Sequence, residues 1–441
     1  MAAKLSADEA AARFEASDTL GMPLATGQPA MLIEALSRRD DWFDLRVYAG
    51  LLAVPPDLFQ HPHVHYLSGF FGPIERVLRD EGANISFAPS DFRGFEPLMR
   101  AMAPRVMATA AALPDEGGWC SLSLHAGAFV DELHRAGADP ARALVVEASG
   151  SFPHTLGVPP DHPHALHVDE IDMLIESDAV PFAFPDTEAS ETDRLIAEHA
   201  RRFITDGATL QTGIGAAPSV IAKLLAEGDG GDYGVHSEMF TTGLMHLHRA
   251  GKVTNRKGQF DGFSVATFAG GTAELYEWLD GNEEVRFLPV DVVNDPAVIG
   301  RNRRMITING AIATDIHGQV VADTIAGSQY SGIGGHEDFV SGAALKLENR
   351  SLLCLPATVT VGGKLLSRIL PTFPEGTVIT TPRHHIDAVI TEYGAAELRG
   401  KTIHQRGEAL AAVAHPEFRD GLLEAAEHAS HGRSPLEHLA N

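Results

Sequence analysis

Short apolar runs punctuate this chain, most of them too brief to be helices. Leu45-Arg-Val-Tyr-Ala ends at Gly50, Val64–Leu67 and Asn84–Phe87 follow, and Ala143-Leu-Val-Val-Glu147 is nearly all apolar. Segments with helical spacing lie among them: Ala30–Arg38, Gly72–Asp80, Phe95–Ala101 and Phe129–Ala136. Such alternation predicts buried parallel strands linked by helices, an α/β fold. Ser6, three residues before Glu9, predicts a capping box that opens a short helix reaching about Ala16. Gly118-Trp-Cys-Ser-Leu-Ser-Leu124 reads as a further strand.

Prolines and glycines at 149–165 break the rhythm, and Ala179–Pro185 reads as an extended connector. Ser190-Glu-Thr-Asp193 then caps a new helix, so two domains are expected, 1–187 and 188–441. The second repeats the α/β grammar. Ala208–Thr212 runs as a strand into a glycine turn, with helix at Ser219–Ala226. Strands are expected at Ser264–Phe268, Val285–Pro289, Leu352–Leu355, Thr377–Ile379 and Ala388–Thr391. Met305–Ala313 alternates like a strand pair, and the tail from Gly407 is amphipathic helix. Two similar open α/β halves suggest an old duplication.

The formal net charge of −25 argues against nucleic acid, which is held by neutralising phosphates with Lys and Arg. Any phosphate contact on such a chain must be local. Cys120 and Cys354 are the only cysteines, too few for a disulfide framework and consistent with a reducing compartment. The N-terminus lacks the apolar core of a signal peptide, and no run of 18 apolar residues occurs. The expectation is a cytoplasmic enzyme with no membrane partner.

Four features bear on chemistry. Glu238 sits in Tyr233-Gly-Val-His-Ser-Glu-Met-Phe-Thr-Thr-Gly243, outside any charge run. A carboxylate so placed is either a solvated or capping residue, or a nucleophile toward an activated carbonyl. Gly213-Ile-Gly-Ala-Ala-Pro218 hands a strand to a helix: an ordinary tight turn, or a backbone that meets an anion or oxyanion. It lacks the third glycine of a dinucleotide fingerprint and the Gly-Lys-Ser/Thr of a P-loop. Tyr330-Ser-Gly-Ile-Gly-Gly-His-Glu-Asp-Phe339 crowds Gly332, Gly334 and Gly335 into four positions. It is a surface loop, or one that presses its amides against a substrate. The histidines of 61–65 and 162–167 lack zinc-type spacing, no Gly-x-Ser-x-Gly elbow occurs, and no metal site is expected.

Residues 206–420 resemble the acetyl-CoA hydrolase/transferase family of CoA-transferases, of the 4-hydroxybutyrate and acetate type. The resemblance runs through Leu210-Gln-Thr-Gly-Ile-Gly-Ala, His236-Ser-Glu-Met-Phe, Gly251-Lys-Val-Thr-Asn and Ala266-Thr-Phe-Ala-Gly-Gly-Thr. It continues in Pro289-Val-Asp-Val-Val-Asn-Asp-Pro, Tyr330-Ser-Gly-Ile-Gly-Gly with Asp338-Phe, Ile390-Thr-Glu-Tyr-Gly-Ala-Ala-Glu-Leu-Arg-Gly and His415-Pro-Glu-Phe-Arg-Asp. The first half matches more loosely, through Gly21–Pro29, Phe87-Ala-Pro-Ser and Pro153–Gly157.

That resemblance implies two open α/β domains with the active site between them, as a homodimer or larger. It makes Glu238 the covalent nucleophile and assigns oxyanion or CoA contacts to Gly213, Ile214, Gly215, Ala216, Ala217, Gly332, Gly334 and Gly335. Lys364, in Val361-Gly-Gly-Lys364, is a displaced candidate for a CoA-phosphate contact. The implied reaction moves CoA from an acyl-CoA to a small carboxylate of the acetate, butyrate, 4-hydroxybutyrate or succinate class. It passes through a glutamyl-CoA thioester, with coenzyme A as substrate and no resident cofactor. Acyl-CoA hydrolysis on the same glutamate is the alternative. Closure of a mobile 332–335 loop is expected to keep water out.

Overall fold

A computed structural model describes residues 2–184, 188–213 and 215–431. Eight parallel strands form the larger sheet, in the spatial order Ala3–Leu5, Met173–Ser177, Ala143–Ser149, Val106–Ala112, Ser17–Gly21, Asp44–Ala49, Val64–Ser68 and Ile85–Phe87. The central Val106–Ala112 is buried along its whole length, and helices cover the sheet. That burial is why its sequence is apolar but for Thr109, with no alternation.

A second sheet, which shares no strand with the first, runs Gly234–Val235, Thr209–Thr212, Met305–Gly310, Arg350–Cys354, Ala388–Thr391 and Gly394–Glu397. It is parallel except for its last strand, which folds back on Ala388–Thr391 as a hairpin. The two sheets lie on either side of the expected domain boundary; residues 185–187, where the connector ends and the first domain was expected to end, fall outside the described residues. One hydrophobic cluster nonetheless runs through both, joining Leu144 and Val146 to Leu210, Ile221 and Ile306.

Both sheets reverse direction at a point that matters. In the second, the chain starts at Thr209–Thr212, adds Gly234–Val235 on one side, then places Met305–Gly310 on the other. In the first, strands accumulate outward from Ser17–Gly21 to Ile85–Phe87 before the chain crosses back to Val106–Ala112. Loops leaving the carboxyl ends of strands at such a switch point diverge and leave a crevice.

Capping boxes at Ser6 with Glu9 and at Ser190 with Asp193 open their helices as the residues predict, although the first helix stops at Ala11. Three strand expectations change. Ser123 has φ +56°, a left-handed turn that confines the strand expected at 118–124 to Trp119–Ser121, paired with Ala165–His167 outside the main sheet. Met305–Gly310 and Ala313–Asp315 are both strands but not partners: the first is buried in the second sheet, the second pairs with Val320–Val321 and Ile369–Leu370. Thr377–Ile379 forms no strand; prolines at 371, 374 and 382 and Gly376 at φ +80° leave no room for a ladder. No helix among the described residues is long and apolar enough to cross a membrane.

Glu75 shows how the first half shapes its loops. Its carboxyl is fully buried and accepts from the Leu52 amide (2.6 Å), the Gly72 amide (2.8 Å) and the Tyr66 hydroxyl (3.1 Å). Burial pushes this carboxyl above its ordinary value. Glu75→Ala leaves those donors without partners and should lower unfolding free energy by about 2–4 kcal/mol. Urea unfolding would measure it, and a loss under about 0.5 kcal/mol would contradict this account.

Candidate active site

The loops from both switch points converge on one cavity of ≈ 400 Å³. From the first half come Leu24, the Ala49–Leu51 turn, Gly69, Phe70 and Phe92. From the second come Gln211–Gly213 and Asn309–Ile312, at the carboxyl ends of adjacent strands, together with the 331–336 loop. Glu238 is the only acidic residue among the described residues that line it.

The backbone around Glu238 is stitched on both sides. Gly234–Val235 pairs with Thr209–Leu210, His236 bridges to Val265, and Met239–Phe240 pairs with Phe268–Ala269. Glu238 stands in the gap between these pairings, its carbonyl accepting from the amides of Thr267 (2.9 Å) and Phe268 (3.2 Å). The buried Ser237 hydroxyl donates to the Met239 carbonyl at 2.8 Å. His236 is fully buried and donates from Nε2 to the Val293 carbonyl at 2.7 Å. Burial pushes its imidazole down to about 4, so it is the neutral ring that ties this segment to the one bearing Asn294.

The residue is half-buried, open to the cavity on one side with its carboxyl surrounded by protein. Asn294 Nδ2 donates to Glu238 Oε2 at 2.7 Å and to Asp338 Oδ2 at 3.1 Å, so one amide bridges two carboxylates. The Gly335 backbone lies close enough to favour the ionised Glu238 carboxyl as well. Burial pushes the Glu238 carboxyl up to about 8; the Asp338 charge adds to this, while Asn294 and Gly335 oppose it. Asp338, itself buried, is raised to about 6, by burial first and by Asp91 next. Arg93, from the first half, holds Asp338 through Nε at 3.1 Å.

Gly335 fits here for a steric reason. A Cβ at that position would lie 1.9 Å from Glu238 Oε2 and 2.5 Å from Asn294 Nδ2. Gly332 is pressed against Phe70, and Gly334, at φ +57°, lies over both Phe70 and Glu238. The loop expected to be mobile is tied to the first half: the Phe92 amide donates to the Gly334 carbonyl (2.9 Å) and Arg76 to that of Tyr330 (2.7 Å).

The structure thus gathers Glu238, Gly213, Gly332, Gly334 and Gly335 around one cavity. Ile214 lies outside the described residues. Gly215 caps the helix Ala216–Glu227, whose first turn holds Ala217; none of Gly215, Ala216 and Ala217 lines the cavity. Lys364 is exposed beside the turn of the hairpin formed by Thr358–Val361 and Lys364–Ser367, and does not line it either. Sequence reasoning missed Asn294, Asp338 and Arg93 as functional groups. Asn294 and Asp338 fall within the quoted motifs, yet an Asn before Asp-Pro reads as a turn former. Arg93 carries no signal because its partner is 245 residues away.

A family model, the acetyl-CoA hydrolase/transferase C-terminal domain, matches residues 271–426. The chain is 31% identical to the 4-hydroxybutyrate coenzyme A transferase of Clostridium kluyveri, covering 95% of this chain and 96% of that one. The chain belongs to the acetyl-CoA hydrolase/transferase family. Another member, the succinyl-CoA:cyclohexane-1-carboxylate CoA transferase of Geobacter metallireducens, is 32% identical over 95% of this chain and 93% of its own. Among family structures, the crystal structure of RipA from Yersinia pestis superposes with a TM-score of 0.86 at 30% identity, covering 97% of each chain.

Two predictions follow from the Glu238 carboxyl at about 8. A reaction that needs it ionised should show kcat/KM rising about tenfold per unit up to about pH 8 and flat above. Asn294→Ala removes a donor that favours the ionised form, so the limb should move up by about one unit, a loss of about tenfold at pH 7. A limb that stays in place would remove Asn294 from this role. For stability, the folded state holds the proton more tightly than the unfolded chain, whose carboxyl stays near 4.5. This contribution is complete below 4.5 and lost as pH rises through about 8. Glu238→Gln should therefore melt higher than the parent at pH 9 and nearly level with it at pH 4.5.

Proposed function

We propose that this protein moves coenzyme A from an acyl-CoA to a small carboxylate, with Glu238 as the covalent carrier. The observation that supports this reading best is one carboxyl, alone among the described lining residues and raised to about 8, where loops from both sheets meet. A desolvated carboxylate is a stronger nucleophile than one in water, and a thioester is an electrophile it can attack.

In the first half-reaction, Glu238 Oε attacks the thioester carbonyl and the tetrahedral adduct expels CoA thiolate, leaving an acyl–glutamyl anhydride. The thiolate attacks the glutamyl carbonyl and releases the donor carboxylate, leaving a glutamyl-CoA thioester. The acceptor carboxylate then attacks that thioester, expelling the thiolate and forming a new anhydride. Thiolate attack on its acyl carbonyl yields the new acyl-CoA and frees Glu238. Amides of the Gly213 and Gly332–Gly335 segments are the donors proposed for the tetrahedral oxyanions, each worth about 3–4 kcal/mol. Gly335 lies directly against the carboxyl. Coenzyme A enters as substrate, and no step calls on a resident cofactor. By family resemblance the same reading includes a cytoplasmic homodimer and two domains divided near residue 187.

Acyl-CoA supplied without acceptor should leave an adduct that borohydride reduces, with the modified residue mapping to 233–243. Glu238→Gln should fold and lose exchange by at least about 10³-fold, since an amide cannot form the anhydride. With acceptor present, exchange should exceed water release by at least about tenfold. Steady release of free CoA without an adduct would mean hydrolysis instead, and near-parental exchange by Glu238→Gln would remove the mechanism.

A further inference from the structure

The walls of the cavity narrow the acyl group, given the proposed role of Glu238 on which this step rests. Three phenylalanines of the lining are nearly enclosed: Phe92, Phe129 and Phe268 are each 4% exposed. Half-buried Phe70 and Phe95 continue that wall. Phe92 and Phe268 meet edge to face, their ring centroids 6.1 Å apart. Elsewhere on the lining Gly310 is exposed and Ala311, Ile312 and Ser331 are half-buried, so the cavity opens to solvent beside them. The polar arm and phosphates of coenzyme A need water or charge around them and must leave through that opening. A thioester seated at Glu238 then directs its acyl group toward the phenylalanines.

The described lining residues include no lysine or arginine. Besides Glu238, the titratable group among them is His336, whose imidazole burial pushes down to about 4, so it offers no cation near neutral pH. A second carboxylate on the substrate would lose its water and find no counter-charge. Size points the same way. An apolar cavity of about 150 Å³ encloses a benzene ring, and this one, at ≈ 400 Å³, can take such a ring together with the thioester end of coenzyme A. Acetyl would leave most of the aromatic wall without contacts, while a ring packs well against aromatic edges and faces.

We propose that the acyl group is uncharged, apolar and bulky, of about five to eight carbons and branched, alicyclic or aromatic, packed against Phe70, Phe92, Phe95, Phe129 and Phe268. Acetate and dicarboxylates such as succinate are then poor partners.

Isotope exchange between each acyl-CoA and its own labelled acid tests this without a foreign donor. The panel is acetate, butyrate, isovalerate, cyclohexanecarboxylate, benzoate and succinate. Each added buried methylene should raise kcat/KM about four- to tenfold. Cyclohexanecarboxylate should exceed both acetate and succinate by at least about 100-fold. Exchange in which acetate or succinate equals or beats the bulky acids overturns this inference and leaves the transferase reading standing. No exchange with any pair overturns both. Phe95→Arg places a cation in the half-buried part of the wall and should raise succinate relative to cyclohexanecarboxylate at least about tenfold. If that variant does not fold, Phe95→Leu should lower the cyclohexanecarboxylate-to-acetate ratio by about three- to tenfold. Unchanged ratios in the variant that folds would place the acyl group away from this wall.

Discussion

Two carboxyl groups share one amide in the interior of this protein, and the rest of the site depends on how that arrangement is tolerated. Burial opposes charge on both Glu238 and Asp338, and each would repel the other when ionised. Asn294 answers with both protons of its Nδ2, and Arg93 supplies the positive charge that keeps Asp338 in place. Asn294 and Asp338 stand beside Glu238 in the second half, whereas Arg93 belongs to the first. Arg93 thus reaches Asp338 only when the two halves are docked. The ion pair that steadies this site is also one of the contacts between the halves, beside the hydrophobic cluster that runs through both.

Topology explains why that point is also where a ligand fits. Each sheet reverses its direction of growth once, and the loops at those reversals splay apart. Because the reversals face one another, the crevices merge into one cavity lined by both halves. Glycines are needed where the loops come closest. Position 335 has no space for a methyl group beside Glu238, and position 332 none beside Phe70. The tight approach also accounts for the tied loop: backbone that passes this close to Phe92 and Arg76 finds hydrogen-bond partners there.

Much of this was legible in the residues. Buried parallel strands declare themselves as apolar runs, and capping boxes at Ser6 and Ser190 mark helix starts within a residue. Glu238 and the glycines of 332–335 stood out because neither suits its local context as helix, strand or charged surface. What stayed hidden depends on distance along the chain. Lys257 looks no different from Arg256 in the sequence, yet Arg256 is exposed while Lys257 is fully buried with its Nζ donating to the carbonyls of Gln259 and Phe263. The aromatic wall has the same character: its five phenylalanines are spread from 70 to 268, and only the fold makes them neighbours. Lys364, a lysine after paired glycines, sits at an exposed hairpin turn away from the cavity lining.

A carboxyl raised to about 8 poses a question of balance, because only about a tenth of it is ionised at pH 7. For one-way hydrolysis that would be a plain loss. For exchange between carboxylates the balance differs, since in the proposed mechanism Glu238 is the nucleophile of the first step and the leaving group of the last. A substrate carboxylate that enters the same dry, apolar cavity is desolvated as Glu238 is, and its basicity rises with it. Both carboxylates then stand at comparable basicity inside the site, although a free acid in water remains near the ordinary carboxylate value. In the proposed path the glutamyl thioester and the acyl thioesters, formed from matched carboxylates, then stay close in energy, so the covalent intermediate is not a trap. On this view the desolvation that keeps most Glu238 protonated in the empty protein is also what levels the path once substrate fills the cavity.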